Sequence, residues 1–164
     1  MHISNRSSAA QPPMRFQVLF HSYLRVPSAL NASVSGLQGQ QFIDKTDGSK
    51  TKDTAKTDGP IVMNGRECDA VFLGPAPDSV HLGYGQDSEA SSGSSGVNGL
   101  VVSRSSNCPN TTVWNPAESK AKGLKDLHDG GWKEYVCIEP GKVVGFQELE
   151  AGKTFVASQT LSVA

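Results

Sequence analysis

Val18-Leu-Phe-His-Ser-Tyr-Leu-Arg-Val26 is a long, mostly apolar segment with a histidine in its middle. In a β-strand, successive side chains point to opposite faces of the sheet. One predicted face can be buried in a core and carries Phe16, Val18, Phe20, Leu24 and Val26. The opposite face carries Gln17, Leu19, His21, Tyr23 and Arg25. A purely structural sheet has little reason to present an imidazole, a phenol and a guanidinium side by side, so this strand is a candidate for part of a functional site.

The remaining sequence predicts more short strands, separated by turn residues. It contains 17 Gly and 9 Pro among 164 residues, and proline cannot donate a hydrogen bond within a sheet. We expect about nine or ten strands, including one over 132–139 that ends at Pro140-Gly141, and a hairpin turn at Asn64-Gly65. One helix is predicted over 116–127, with Asn115 as its cap. The predicted fold class is therefore all-β: an antiparallel β-sandwich with one short helix, or part of a larger sandwich.

Three segments of the sequence lack a strand pattern. Residues 1–14 are polar, which predicts a disordered leader before a single domain over 15–164. Residues 45–59 carry mixed charges and predict a solvated loop. Residues 83–99 are rich in Gly and Ser and predict a flexible loop.

The composition argues against several classes of function. The formal net charge is −1, which argues against a nucleic-acid-binding module and against attachment to a membrane by charge. No apolar run approaches the roughly 18 residues needed to cross a bilayer, and the N-terminus has no hydrophobic signal core. Three cysteines without a C-x-x-C motif predict no metal site. We therefore expect a cytoplasmic protein that binds neither nucleic acid nor a membrane.

Three polar residues in apolar strand patterns are candidates for a site. His21 is the first, although a histidine in such a strand is more often a hydrogen-bonded structural residue. Asp69 shares its face with Val71 and Leu73, so it either needs a partner in a buried site or faces solvent on an edge strand. Glu139 stands at the end of its predicted strand, where it could lean into a cleft or remain exposed.

Cys137 lies two residues before Glu139 and shares its face of the strand. A thiolate nucleophile is one interpretation of this residue, and a buried, inert cysteine is the more common one. Cys68 and Cys108 have the same structural interpretation.

Several separate blocks of the sequence resemble the glucose-6-phosphate 1-epimerase family, the hexose-6-phosphate mutarotases. They occur in the family's order, match its central and C-terminal segments, and cover most of residues 15–162. The blocks are Phe20-His-Ser-Tyr-Leu-Arg-Val26, Val34-Ser-Gly-Leu-Gln-Gly39, Asp44-Lys45, Cys68-Asp-Ala-Val-Phe72, Val113-Trp-Asn-Pro116, Tyr135-Val-Cys-Ile-Glu-Pro-Gly141 and Ala157-Ser-Gln-Thr160.

The resemblance implies both a fold and a reaction. The family folds as a large β-sandwich related to galactose mutarotase, and it interconverts the α and β anomers of glucose 6-phosphate without a metal or an organic cofactor. His21 falls on the family's catalytic histidine, Glu139 on its catalytic glutamate, and Asp69 on an aspartate that contacts substrate. Opening the sugar ring requires a base for the C1 hydroxyl proton and an acid for the ring oxygen, roles that suit a carboxylate and an imidazolium.

The sequence also departs from the family pattern. The N-terminal half of the family, with its main phosphate-binding basic residues, has no counterpart here. Ala70 and Phe72 replace the usual arginine and tyrosine, and Asn110 replaces an acidic residue. Partial sandwiches expose strand edges, so a second chain could cover one. Two alternatives to the enzyme therefore stay open: a catalytically inactive carbohydrate-binding fragment, and a structural or interaction module.

Overall fold

The computed structural model describes residues 1–53, 59–85 and 98–164. These residues form strands joined by turns, with a single short α-helix, which confirms the all-β prediction. The strands are β1 (His2–Ser4), β2 (Met14–Leu19), β3 (Tyr23–Arg25), β4 (Ser33–Ser35), β5 (Gln41–Asp44), β6 (Lys50–Asp53), β7 (Ile61–Val62), β8 (Cys68–Phe72), β9 (Ser79–Gly83), β10 (Gly99–Arg104), β11 (Asn110–Asn115), β12 (Tyr135–Leu149), β13 (Thr154–Val156) and β14 (Gln159–Val163). The helix is α1 (Ala117–Ala121), and a 3-10 turn covers Gly131–Glu134.

The strands form three antiparallel sheets. The large sheet has seven strands in the order β2-β12-β11-β8-β5-β6, with β3 also paired to β12. The small sheet has five strands in the order β14-β10-β9-β4-β7. The third sheet contains β1 and β13 alone. Among the residues described, no helix is long and apolar enough to cross a membrane.

The main core is the apolar layer between the large and the small sheet. Alternate residues of both sheets supply it, as a sandwich requires. Full burial of a Val, Leu or Phe side chain contributes about 1.5–3 kcal/mol each, so this layer holds the two sheets together. Its buried members are Leu24, Val26, Ala29, Ala32, Val34, Leu37, Met63, Ala70, Phe72, Val80, Leu82, Val102, Val113, Val136 and Ile138.

Strand β12 pairs with β11 on one side and with β2 and β3 on the other, and it is longer than predicted. It continues through Pro140-Gly141 to Leu149 instead of ending there. Proline lacks an N–H but keeps its carbonyl, and the carbonyl oxygen of Pro140 accepts the N–H of Phe20 at 3.0 Å. The position therefore tolerates proline without ending the sheet.

The segment around His21 is interrupted where the sequence predicted one continuous strand. Residues 20–22 lie between β2 and β3, and the N–H of Ser22 bonds to the carbonyl of Phe20 at 3.0 Å. The predicted apolar face is also divided. Leu24 and Val26 enter the main core. The remaining members pack in a second cluster around Cys108, Leu149, Phe155 and Ala157; they are Phe16, Val18 and Phe20.

Residues 1–14, which the sequence predicts as a disordered leader, contain β1 and contacts with the sheets in this structure. Ile3 in β1 lies opposite Phe155 in β13 and packs against the second cluster. The buried Asn5 amide donates to the carbonyl of Leu149 at 2.7 Å. These contacts give the polar N-terminal segment hydrogen-bond and packing partners that its sequence pattern did not predict.

The predicted loops are only partly within the described residues. The loop over 45–59 contains β6, which pairs with β5, while residues 54–58 lie outside the described part. Most of the loop over 83–99 also lies outside it, at residues 86–97.

Two local predictions need correction. The Asn64-Gly65 turn does not close a hairpin, because β7 pairs with β4 in the small sheet while β8 belongs to the large sheet. The helix has five residues, not twelve, and Gly123 lies just beyond its end, as expected for a poor helix former. Asn115 does hold the helix start, since its Oδ1 accepts the N–H of Ala117 at 2.9 Å.

Candidate active site

The face of the large sheet turned away from the core carries all three predicted site residues. Strand pairing places Glu139 and Asp69 in two adjacent rows across the sheet. In one row Glu139 lies opposite Thr112, which lies opposite Val71 on its other side. In the adjacent row Cys137 lies opposite Trp114, which in turn lies opposite Asp69. These rows form the floor of an open cleft.

The cleft has a volume of about 680 Å³, within the range of about 300–1,000 Å³ of small-molecule sites. Its lining combines apolar side chains with a few polar groups, the usual composition of such sites. The residues that line it are Gln17, Leu19, His21, Ile43, Lys45, Ser49, Asp69, Val71, Thr112, Trp114, Glu139, Val143, Val144 and Gly145.

His21 and Glu139 are in direct contact. The register explains why: Leu19 lies opposite Gly141 and Tyr23 opposite Cys137, so the residue midway between them faces Glu139. His21 Nδ1 is 2.9 Å from Glu139 Oε1. The two residues are 118 positions apart in sequence, and the sheet brings them to one point.

The two members of this pair differ in exposure. The Glu139 side chain is 3% exposed and that of His21 is 48% exposed. The histidine approaches Oε1 off the direction of a straight hydrogen bond, so among the described residues this buried oxygen has no aligned donor. Glu139 Oε1 is therefore a buried carboxylate oxygen, next to His21, with unused acceptor capacity.

Glu139 is the most perturbed carboxyl group of the cleft. Burial is the main cause, and the negative charge of Asp69 adds to it; together they raise the pKa of Glu139 to about 7. A hydrogen bond from the Cys137 thiol and the charge of Lys45 oppose the shift. A carboxyl group with a pKa near neutrality can both take and return a proton at physiological pH.

An aromatic wall flanks His21. The Tyr23 ring stacks on the imidazole with centroids 4.8 Å apart and planes within 4°. Trp114 meets the imidazole edge-on at 5.8 Å. Such contacts fix the plane of the ring, so His21 is oriented although half of it is exposed.

Asp69 lies in the same cleft, beside Trp114, with its side chain 14% exposed. Burial raises its pKa, against the opposing charges of Lys45 and Lys120. Lys45 Nζ is 4.0 Å from Oδ1 and Lys120 Nζ is 3.9 Å from Oδ2. The carboxylate is thus partly buried between two ammonium groups, with a face left toward the cleft.

A bulge in β12 forms one side of the cleft. Between the pairs Val18–Lys142 and Phe16–Gln147, β12 advances five residues while β2 advances two. Asn110 Oδ1 holds the extra residues by accepting the N–H groups of Val143 and Val144, each at 3.0 Å.

Gln17 supports the same bulge from β2. Its Nε2 donates to the carbonyls of Val143 and Gly145 at 2.6 and 3.0 Å. A bulge fixed from two strands is a common way to aim groups at a site.

The sequence reasoning did not identify several lining residues. Thr112 and Trp114 share a face of β11, but which face meets the cleft depends on pairing that alternation alone does not define. Lys45 was part of a predicted loop and of the Asp44-Lys45 block, but neither gave it a role in the site. Conversely, Ala70 and Phe72 face the main core, so their departure from the family pattern does not alter the lining.

Three side chains of the types that bind metals converge beneath the cleft. One ligand atom from each of His21, Cys137 and Glu139 can be chosen so that all lie within 4.8 Å of one another.

Burial and the adjacent Glu139 raise the pKa of the Cys137 thiol, so this cysteine is protonated and unsuited to act as a nucleophile.

The fold is that of a galactose mutarotase-like β-sandwich. A "putative mutarotase (YeaD)" from Salmonella typhimurium matches 94% of this chain and 47% of its own at a TM-score of 0.75 and 24% identity. A "galactose mutarotase-like protein" from Clostridium acetobutylicum matches 93% of this chain and 49% of its own at 0.54 and 16%.

The chain belongs to the aldose 1-epimerase family, whose model matches residues 1–162. Two proteins named "Putative glucose-6-phosphate 1-epimerase" are similar to it: one from Escherichia coli K12 at 30% identity over 88% of this chain, and one from Cenchrus ciliaris at 27% over 80%. The chain spans 44% and 36% of their respective lengths.

Proposed function

We propose that this chain takes part in interconverting the α and β anomers of a hexose 6-phosphate, with glucose 6-phosphate as the substrate. The observation that carries the proposal is the contact of 2.9 Å between His21 Nδ1 and Glu139 Oε1 in an open cleft. Membership of the aldose 1-epimerase family and the names of the relatives support the substrate class.

The chemistry needs one base and one acid on the same sugar. Glu139 would remove the proton of the C1 hydroxyl while protonated His21 gives a proton to the ring oxygen, and the C1–O bond of the ring opens. Rotation about C1–C2 then turns the other face of the aldehyde toward the C5 hydroxyl. His21 takes the C5 hydroxyl proton and Glu139 returns its proton to the C1 oxygen as the ring closes. Each positioned proton transfer is worth about 10² to 10⁴ in rate.

The remaining groups of the cleft suit the rest of the sugar. Asp69 would accept hydrogen bonds from hydroxyl groups of the hexose. Lys45 is the lysine of the lining, and its ammonium group would meet the 6-phosphate as a point charge. Arg25, on the same predicted face as His21, is exposed and outside the described lining.

The test is the rate of anomer exchange of glucose 6-phosphate, measured by NMR magnetisation transfer with the purified chain. We expect exchange above the uncatalysed rate, and a loss of at least about 100-fold in His21→Ala and in Glu139→Gln. Matched controls are His81→Ala and Glu148→Gln, which change exposed residues outside the cleft lining.

Each alternative outcome has a defined meaning. Exchange that both site variants retain would refute the assignment of His21 and Glu139. No exchange, but saturable binding of glucose 6-phosphate, would identify a carbohydrate-binding fragment. If the chain shows neither exchange nor binding, the remaining interpretation is a structural or interaction module.

The phosphate can be tested separately through Lys45. Lys45→Met should raise KM for glucose 6-phosphate while leaving KM for unphosphorylated glucose unchanged. An equal effect on both sugars would place the lysine against the ring and not against the phosphate.

A further inference from the structure

We propose that His21, Cys137 and Glu139 form a site for a single Zn²⁺ or similar transition-metal ion, which occupies the acid/base pair and blocks it. Binding itself does not depend on the proposed function; only the inhibition does. The three residues come from one strand, β12, and the short turn over 20–22, and none belongs to a C-x-x-C motif.

The donor set has the chemistry that zinc prefers. Zinc in proteins is bound by thiolate, imidazole and carboxylate groups, and sites with three protein ligands keep a fourth position open. Here the three candidate atoms lie within 4.8 Å of one another. Tetrahedral zinc, with bonds of about 2.0–2.3 Å, separates its ligand atoms by about 3.3–3.8 Å, so a shift of about 1 Å would complete the geometry.

The structure offers both a reason to bind and a route of entry. Glu139 Oε1 is buried and, within the described residues, has no aligned hydrogen-bond donor, so a cation would satisfy it. His21 is half exposed and lies outside the strands, on the turn over 20–22, so its ring can slide along the Tyr23 face by the small distance needed and keep the plane that this stacking fixes. The open position would face the cleft and take a water molecule.

The proton balance of the site is simple. Forming the metal–sulfur bond removes the proton of the Cys137 thiol, which passes to solvent. The carboxylate and the neutral imidazole supply their lone pairs without further loss. With the metal bound, neither Glu139 nor His21 has a free lone pair on the ligating atom for proton transfer to a sugar.

The test uses the metal alone with the full chain. Zn²⁺ binding is measured by titration calorimetry, and Co²⁺ is substituted because thiolate ligation gives an intense near-ultraviolet charge-transfer band. We expect one metal per chain with this band. Cys137→Ala should abolish the band, and His21→Ala should weaken binding by at least about 10-fold, since loss of even an outer-shell partner costs 10- to 100-fold.

Matched controls separate this site from surface binding. Cys68→Ala removes a half-buried thiol on β8, which is separated from β12 by β11. His128→Ala breaks an exposed pair in which His128 Nε2 is 3.1 Å from Glu134 Oε1. Both controls should bind metal as the unchanged chain does.

Three results would overturn the proposal. They are no saturable binding to the unchanged chain, a charge-transfer band that survives in Cys137→Ala, and equal affinity of His21→Ala and His128→Ala. If Cys137→Ala does not fold, His21→Ala decides, because that side chain is half exposed. Since no sugar is present, these results are independent of whether the chain exchanges anomers. With sugar present, Zn²⁺ should inhibit exchange, and a chelator should restore it.

Discussion

At the residue scale, the central property of the site is the raised pKa of Glu139. The group has a pKa of about 7 in the folded chain and about 4.3 in an unfolded one. As pH rises between these values, the unfolded chain loses its proton first, so this group destabilises the fold progressively. Above about pH 7 the cost is complete, and it amounts to about 4 kcal/mol.

We therefore expect Glu139→Gln to be more stable than the unchanged chain at pH 8 and to have little or no advantage at pH 4.5. The reason is that glutamine fills the same space without a charge to bury. Urea unfolding of both proteins at the two pH values measures the difference. A stability gap that does not change with pH would mean that Glu139 is not buried as a charge.

The same carboxyl group should also control the pH dependence of the reaction. A base with a pKa of about 7 is deprotonated only above that value, so kcat/KM for anomer exchange should rise through pH 7 on its acidic limb. NMR exchange rates between pH 5 and 9 give the profile. Glu139→Gln should remove this limb from whatever activity remains, whereas the control Glu148→Gln should keep it.

Asn110 is a positioning residue that holds the β12 bulge, and this role needs only a side-chain oxygen that accepts hydrogen bonds. Its Oδ1 accepts the N–H groups of Val143 and Val144, and an aspartate side chain offers the same acceptor. We expect Asn110→Ala to lower the free energy of unfolding by about 1–3 kcal/mol, since two half-buried N–H groups lose their partner. Asn110→Asp should lose far less. Denaturant unfolding checks both, and equal losses would contradict this role.

At the scale of elements, alternation predicted the faces of β12 correctly. Val136 and Ile138 enter the core, while Cys137 and Glu139 face the cleft. The bulge after Lys142 could not be predicted, because its support comes from Asn110, some thirty residues earlier, and from the N-terminal β2. The sequence shows which side chains share a face, but tertiary hydrogen bonds decide where a strand bends.

The burial of β12 predicts a strong contrast between two of its apolar residues. Ile138→Ala should destabilise the chain by about 2–5 kcal/mol, because it leaves a cavity between the sheets. Phe146→Ala should cost less than about 1 kcal/mol, because this ring is exposed and its described partner is the Arg15 guanidinium at 4.7 Å. Thermal unfolding compares them, and similar losses would mean that the core does not depend on β12.

At the scale of the whole molecule, the small sheet ends in an exposed edge. Strand β14 pairs with β10 on one side and has no other neighbour among the described strands. Its side chains Leu161 and Val163 are exposed, and apolar edge strands tend to pair with other chains. We therefore propose that a second chain covers this edge.

The expected result is concentration-dependent association of the purified chain in sedimentation velocity. Leu161→Lys combined with Val163→Lys should shift it toward the monomer, because charged side chains protect an edge. Val62→Lys, an exposed apolar position at the opposite edge strand β7, is the matched control. Association that all variants share would exclude β14 as the contact.

The sequence predicted the sandwich, and it singled out three residues that the structure brings into one cleft. His21, Asp69 and Glu139 do share one cleft, because strand alternation and the family resemblance both constrain them. The ordered N-terminus could not be foreseen, since a three-residue strand such as β1 has too little pattern and depends on β13. The places of Trp114 and Thr112 in the cleft could not be predicted either, because they follow from the pairing of β11 with its neighbours and not from the sequence of β11 itself.

The shared register of β2 and β3 on β12 has a consequence for how this site can change in evolution. His21 reaches Glu139 only because the number of residues between Leu19 and Tyr23 equals the number between Cys137 and Gly141. A single insertion or deletion in either span would turn the histidine away, since side chains alternate. The bulge after Lys142 already breaks the register and can absorb a change in length. Along β12, therefore, insertions and deletions are tolerated in the bulge after Lys142 but not between Cys137 and Gly141.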